Sequence, residues 1–305
     1  MNRRNKIRKE HRLAGVGAIF LCAVLWSTSG LFIKLVDWHP VVIAGSRSIL
    51  AVGVLLALRF HSRRRINSNT NNSSSSTNNR VAAKPLRLAA FGLCYAATML
   101  LFVAANKLTA SANAILLQYT APIWAALLGW FVLREKPRWE HWGALLIICT
   151  GMYLLFSSGI AKGALAGDIL ALLSGIAFAA NSVVLRLNKD GSPSDILIFA
   201  NLICAAFSVP FFFLYPPVFN AYNILCILFM GIFQIGAASA LFAYGIKYVT
   251  AVQAMLITAI EPVLNPVWVL MVTGEKPPLS VLAGGSLIIA AVLFSSMIST
   301  LRRRN

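Results

Sequence analysis

Charge is what this chain lacks most. Only 12% of its 305 residues are charged, against roughly 25% in a soluble domain. Acidic residues are scarcest, with nine Asp and Glu against 27 Lys and Arg. No paired carboxylates and no Ser/His/Asp set can be placed on one helical face, so the chemistry of a hydrolytic enzyme has nowhere to sit. The five cysteines (Cys22, Cys94, Cys149, Cys204, Cys226) all fall inside apolar runs and none belongs to a CxxC pair. They read as small apolar fillers, with neither a disulfide framework nor a thiolate metal site expected. The four histidines (His11, His39, His61, His141) lie at the edges of apolar runs and form no metal cluster. A GxxxxGK[ST] loop is missing, which argues against ATP hydrolysis. No cofactor is expected. Strict apolar–polar alternation is missing too, which argues against a membrane β-barrel.

Apolar residues are plentiful, at 58% of the chain with mean hydropathy +0.75. Such a chain belongs in a bilayer, where backbone groups must be satisfied internally and a helix needs about 20 apolar residues to cross. The apolar runs predict an all-α integral membrane fold of ten spans: Leu13–Leu35, Val41–Leu58, Leu86–Ala105, Ser111–Leu133, Trp139–Ser157, Gly167–Leu185, Asp195–Leu214, Ile224–Tyr244, Thr250–Thr273 and Leu279–Ser299. Gly143, Gly151, Gly284 and Gly285 are small enough to let helices approach closely. The first run follows a basic leader, but it is longer than a signal-peptide core and no small-x-small cleavage site stands out. It reads as a retained first helix.

The net charge of +18 invites a nucleic-acid partner, but sorting the charges by loop gives a better account. With a cytoplasmic N-terminus, 22 of the 27 basic residues fall on the cytoplasmic side. Lys34, Lys107, Lys162 and Lys276 fall outside, and Arg47 lies within a span. This is the positive-inside asymmetry, and it puts both termini in the cytoplasm. The expected localisation is the cytoplasmic (inner) cell membrane, the expected partners are lipid and a small solute, and no nucleic acid is expected. A monomer or homodimer fits equally well.

The chain also repeats itself. Glu135-Lys136-Pro137 recurs as Glu275-Lys276-Pro277, 140 residues on. At the same offset Leu101-Phe102 matches Leu241-Phe242, Lys107 matches Lys247, Ala114 matches Ala254, Leu116 matches Leu256 and Pro122 matches Pro262. The first helices align at an offset of 152: Gly15 with Gly167, Leu21 with Leu173, Lys34-Leu35 with Arg186-Leu187. The surplus of 12 residues is accounted for by the Asn/Ser-rich tract Asn67–Asn79, expected within a disordered cytoplasmic loop at about 66–82. Two halves follow, 1–160 and 161–305. Each holds five spans, an odd number, so the second must enter the membrane upside down. Inverted-topology repeats of this kind build secondary transporters, with the substrate site near the midplane between the halves.

Ten helices in five-plus-five inverted order, with a Pro…Glu-Lys-Pro helix in each half, resemble the EamA-type branch of the drug/metabolite transporter superfamily. The stretches that carry the resemblance run from Ala114 through Pro122 to Glu135 and from Ala254 through Glu261-Pro262 to Glu275. Trp26-Ser27 and Arg47 are similar to family features as well. The resemblance implies a central cavity formed mainly by helices 1, 3, 4, 6, 8 and 9. It also implies movement of amino acids, other metabolites or toxic small molecules, often outward. Ala121 stands where the second half has Glu261, a difference that such repeats tolerate.

Glu261 is the one acidic residue deep inside a span, where a charge costs on the order of 3 kcal/mol or more. It either binds a cationic group or a proton in the transport cycle, or is a paired structural group beside a proline kink. Helical spacing sets Gln253, Ile257, Glu261, Asn265 and Trp268 along one side of the ninth span. Pro122, Pro262 and Pro266 each delete a backbone donor and are hinge candidates. Arg47 reads as a structural charge that snorkels, caps a helix end or pairs with a carboxylate such as Glu261, and Lys34 as an interface anchor. Trp26, Ser27, Ser29, Tyr95, Thr98, Asn113, Gln118, Tyr119, Asn181, Gln234 and Tyr244 are polar or aromatic and should face the protein interior. Such a set suits a small zwitterionic, amino-acid-like or amphipathic solute better than a polyanion. The expectation is a carrier of such a solute working by alternating access, in the direction of efflux. The alternatives are a channel-like facilitator and, behind it, an integral-membrane enzyme.

Overall fold

The computed structural model describes residues 3–69, 85–109, 111–136, 139–157, 165–188, 193–273 and 279–301. The Asn/Ser tract from residue 70 onward and the second Glu-Lys-Pro lie outside the described residues. Among the described residues there is no strand. The helices are α1 (Arg3–Trp26), α2 (Ser29–Leu35), α3 (Pro40–Asn69), α4 (Pro85–Leu108), α5 (Ser111–Gln118), α6 (Ala121–Leu133), α7 (Trp139–Ser157), α8 (Leu165–Leu187), α9 (Pro193–Leu214), α10 (Ala221–Phe229), α11 (Ala238–Gly245), α12 (Ala251–Thr258), α13 (Glu261–Thr273) and α14 (Leu279–Leu301). A π-helical stretch, Met230–Ala237, joins α10 to α11 without a break. Among the described residues, seven helical stretches are long and apolar enough to cross a membrane, counting α1–α2, α5–α6 and α10–α11 each as one. Ala251–Leu264 and Leu282–Phe294 are shorter apolar stretches.

Local sequence sets several helix ends. Asn220 accepts from the Asn223 amide at 2.6 Å and caps α10, and Thr250 caps α12 by accepting from the Gln253 amide at 3.2 Å. These caps satisfy donors that a helix start leaves open. At the far end of α6, Arg134 adopts a left-handed φ of 55°, and the Glu135 amide returns to the Gly129 carbonyl at 3.2 Å. The helix therefore stops just before the Glu-Lys-Pro segment.

Packing between helices comes in matched pairs. Helix α4 of the first half lies on α8 of the second, and α11 of the second half, in the place corresponding to α4, lies on α1 of the first. Likewise α4 packs on α9, and the π stretch packs on α3. Helix α3 meets α9, and α7 meets α14, so that each half supplies the corresponding helix. Glycines make two of these contacts possible. A Cβ on Gly15 would fall 2.8 Å from the Cβ of Tyr248, and one on Gly167 would fall 2.9 Å from the Thr109 amide and 3.0 Å from the Leu108 carbonyl carbon. Gly15 and Gly167 are 152 residues apart and Leu108 and Tyr248 are 140 apart, the two offsets of the sequence repeat. Without these side chains the backbones close together, which is how helices gain van der Waals contact where lipid competes equally well for apolar surface. The outward faces carry large exposed apolar side chains such as Phe131, Phe213 and Leu279, as expected of a surface that meets lipid.

Candidate functional site

Two broken helices meet at the centre. Tyr119 and Thr120 separate α5 from α6, and Ala259 and Ile260 separate α12 from α13. The breaks are 140 residues apart, as are both ends of the helices around them. Proline explains their position. Pro122 has no N–H to give the Gln118 carbonyl, and Pro262 has none for the Thr258 carbonyl. The chain tightens to shorter bonds at each break: Thr120 N to Leu117 O at 3.2 Å, Ala259 N to Leu256 O at 3.3 Å, and Ile260 N to Ile257 O at 3.3 Å.

The freed Thr258 carbonyl finds a partner in the other half. The Tyr119 hydroxyl donates to it at 2.6 Å and also lies 2.7 Å from Glu261 Oε2. Tyr119 and Glu261 are both only 6% exposed. Cys22 of α1 is within electrostatic reach of Glu261. The freed Gln118 carbonyl faces Gly175 of α8, where an added Cβ would stand 2.7 Å from the oxygen. The Gln118 side chain donates to Ser174 Oγ at 2.9 Å, and Ser174 passes the chain on to the Thr98 carbonyl at 3.1 Å. Between these groups Gln118, Tyr119, Ala121, Pro122, Phe178, Met255 and Thr258 line a recess too narrow to hold a water molecule. The two halves are therefore packed against each other at this point.

A third break, Ser27–Thr28 between α1 and α2, adjoins the same region. Trp268 Nε1 donates to Ser27 Oγ at 2.7 Å, and Gln234 Nε2 donates to Thr28 Oγ1 at 3.2 Å. Trp26 stacks edge-on against Phe178 at 5.5 Å and tilts against Phe242 at 5.4 Å. Both ends of the bundle carry links between the halves. At one end Arg186 Nε donates to Glu135 at 3.0 Å while its Nη1 donates to the Ile246 and Lys247 carbonyls at 2.9 Å each, and Arg12 donates to Gln253 at 3.3 Å. At the other end Thr109 donates to Asp168 of the second half at 2.9 Å, and within the first half Lys34 caps the Thr109 carbonyl at 3.2 Å.

The model of the EamA-like transporter family matches residues 13–157 and matches again over 165–297. The chain belongs to that family. EamA is a branch of the drug/metabolite transporter superfamily. The chain is 27% identical to an uncharacterized transporter of Archaeoglobus fulgidus over 60% of its own length, and 28% identical over 58% to the uncharacterized transporter YwfM of Bacillus subtilis. The matched regions span 66% and 61% of those relatives, less than two thirds of either. A protein of known crystal structure has the same fold, with a TM-score of 0.77 at 19% identity over 95% of this chain and 98% of its own.

Within this EamA-like chain the sequence candidates separate into groups. Gln118, Tyr119, Glu261, Pro122 and Pro262 converge at the centre, with Trp26 and Ser27 beside them. Gln253 lies on α12 toward Arg12, at the end of the bundle. Glu261 opens α13 after the break, so the polar stripe through Gln253, Glu261 and Trp268 does not run on one continuous helix. Tyr95 donates to Asn201 Oδ1 at 3.1 Å, in a separate cluster with Arg47. Tyr244 is 41% exposed and lies 5.2 Å from the Tyr248 ring. Asn181 is buried on α8. The side chains of Asn113, Asn265 and Pro266 lie outside the described residues. Sequence reasoning missed Thr258, Met255 and Phe178. The repeat held a signal for the last, because Phe178 is the counterpart of Trp26 at the offset of 152. Two of the histidines serve packing: His11 stacks on Tyr248 at 5.5 Å and His39 on Tyr215 at 4.1 Å. Among the described residues no three His, Cys, Asp or Glu side chains gather as metal ligands would.

Proposed function

We propose that this protein is a secondary transporter of the cytoplasmic membrane that exports a small amino-acid-like or amphipathic solute by alternating access. The carrying observation is the Tyr119–Glu261–Thr258 contact, which ties one half to the other at matching helix breaks. Discontinuous helices at a repeat interface are where transporters of this architecture bind substrate and coupling ions. In this reading the halves are inverted five-helix units of a ten-helix bundle, and they rock about the centre. Opening toward either side parts Tyr119 from Glu261 and exposes a carboxyl, a phenol and a free carbonyl to the solute.

Hydrogen counting favours proton coupling. Tyr119 has one proton and faces two acceptors, the Thr258 carbonyl and Glu261. Thr258 O can only accept. When Tyr119 donates there, the 2.7 Å contact to Glu261 is completed by a proton on the carboxyl. The closed state thus takes up a proton, and the open state, with the carboxylate hydrated, releases it. An amine on the solute can fill the same position, which makes proton and solute competitors, as exchange requires. The protein acts as a monomer or homodimer, since each chain holds a whole central site.

Proteoliposomes test this. Uptake of labelled amino acids or amines should saturate, be stimulated by unlabelled solute on the far side, and respond to an imposed pH gradient. Flux that is linear in concentration and shows no counter-flow would instead support a channel-like facilitator.

A further inference from the structure

A second charged site lies apart from the centre. Arg47 is on α3, seven residues in from Pro40, roughly 10 Å along the axis at 1.5 Å per residue. It is only 4% exposed, and Nε and Nη1 are buried with no hydrogen-bond partner among the described residues. The ionisable groups acting on it are Tyr95 and Cys204, not Glu261. Tyr95 of α4 and Cys204 of α9 lie within electrostatic range of it, Asn201 of α9 and Ser239 of α11 bond Tyr95, and Ser208 of α9 lies against Gly45 of α3, all five no more than 4% exposed. Several of these groups already spend their donors elsewhere. Tyr95 donates to Asn201 Oδ1 at 3.1 Å, Asn201 donates to the Leu197 carbonyl at 2.9 Å, and Ser208 donates to the Cys204 carbonyl at 2.9 Å.

A guanidinium has five donors and no acceptor. Leaving it buried without an anion costs several kcal/mol even after relaxation. An intramembrane cation is retained where it pairs or works, and among the described residues no Asp or Glu acts on this one. We infer that Arg47, with Tyr95 beside it and Ser239 bonded to Tyr95, binds a small monovalent anion, either chloride or the carboxylate of a small organic acid. The site sits where α3 of the first half meets α9 of the second, so an anion there steadies a contact between the halves. It is distinct from the Tyr119–Glu261 centre.

Purified protein in sodium MES, whose bulky sulfonate is a poor fit, can be titrated with sodium chloride or sodium acetate at constant ionic strength while Tm is followed. The expected result is a saturable rise of several degrees with one salt or both. The chloride arm reports an inorganic ion and the acetate arm a carboxylate. Arg47→Met should abolish the rise. If that variant cannot be purified folded, Tyr95→Phe and Ser239→Ala should each raise the half-saturating concentration at least fivefold. An equal Tm in all three salts, an equal rise in Arg47→Met, or unchanged half-saturation in both milder variants would overturn the assignment. None of these outcomes would bear on transport through the centre.

Discussion

Tyr119 and Glu261 lie in different halves of the chain, yet the phenol oxygen is 2.7 Å from the carboxyl oxygen and 2.6 Å from the Thr258 carbonyl. Two prolines bring this about. Pro122 breaks the helix that carries Tyr119, and Pro262 frees the carbonyl that Tyr119 meets. Glu261→Gln keeps the shape and a donor for Tyr119 but cannot exchange a proton. Counter-flow in this variant should survive while the dependence of uptake on pH flattens. Uptake that still varies with pH as in the unaltered protein would remove Glu261 as the proton carrier. Proteoliposome uptake across pH 5.5 to 8.5 reads this.

Tyr119→Phe leaves the Thr258 carbonyl buried without its donor. The cost of such an unmade bond is about 1–3 kcal/mol. The closed state is weakened specifically, so the variant should expose a cysteine placed at Met255 or Ala121 to thiol reagents several-fold faster. Unchanged labelling would mean that Tyr119 does not hold the halves shut.

Gly175→Ala should destabilise the detergent-solubilised protein, because the new Cβ would meet the Gln118 carbonyl at 2.7 Å. Overpacking of this kind costs typically 1–3 kcal/mol. Gly53→Ala is the control: among the described residues nothing lies within 4 Å of its Cβ position, and its Tm should hold or rise slightly. Equal Tm changes in the two would contradict the close packing of α8 on the first break.

Much of this arrangement was legible in the chain itself. The offset of 140, seen in Glu-Lys-Pro and in Pro122 with Pro262, is also the offset between the helix breaks, because proline both marks the repeat and causes the break. The offset of 152 pairs Gly15 with Gly167 in sequence and in their contacts. Burial pressure made Tyr119, Gln118 and Glu261 recognisable as interior groups. What pattern could not supply was which interior group meets which. Tyr95 and Tyr119 are equally polar in an apolar run, yet one joins Asn201 and the other joins Glu261, since partners from distant helices decide. Ser27 and Thr28 gave no proline to announce their break. Thr258 was invisible because its backbone carbonyl, not its side chain, does the binding.

Arg186 should matter more than its ion-pair partner. It donates to Glu135 and to two carbonyls at the end of α11, and Glu135 supplies only the first of these. An ion pair near the protein surface is by itself worth about 0–1 kcal/mol. Arg186→Ala should therefore lower Tm and loosen that end of the bundle more than Glu135→Ala, as read by Tm and by labelling of a cysteine at Gln253. Equal effects would show that the carbonyl contacts contribute nothing.

The transport reading rests on the two halves crossing the membrane in opposite senses. Single cysteines at positions 135 and 275, in a background without the five native cysteines, can be labelled in intact cells with an impermeant thiol reagent before and after permeabilisation. Position 275 should react in intact cells and position 135 only after permeabilisation. Reaction of both from the same face would contradict the inverted repeat, and alternating access would fall with it.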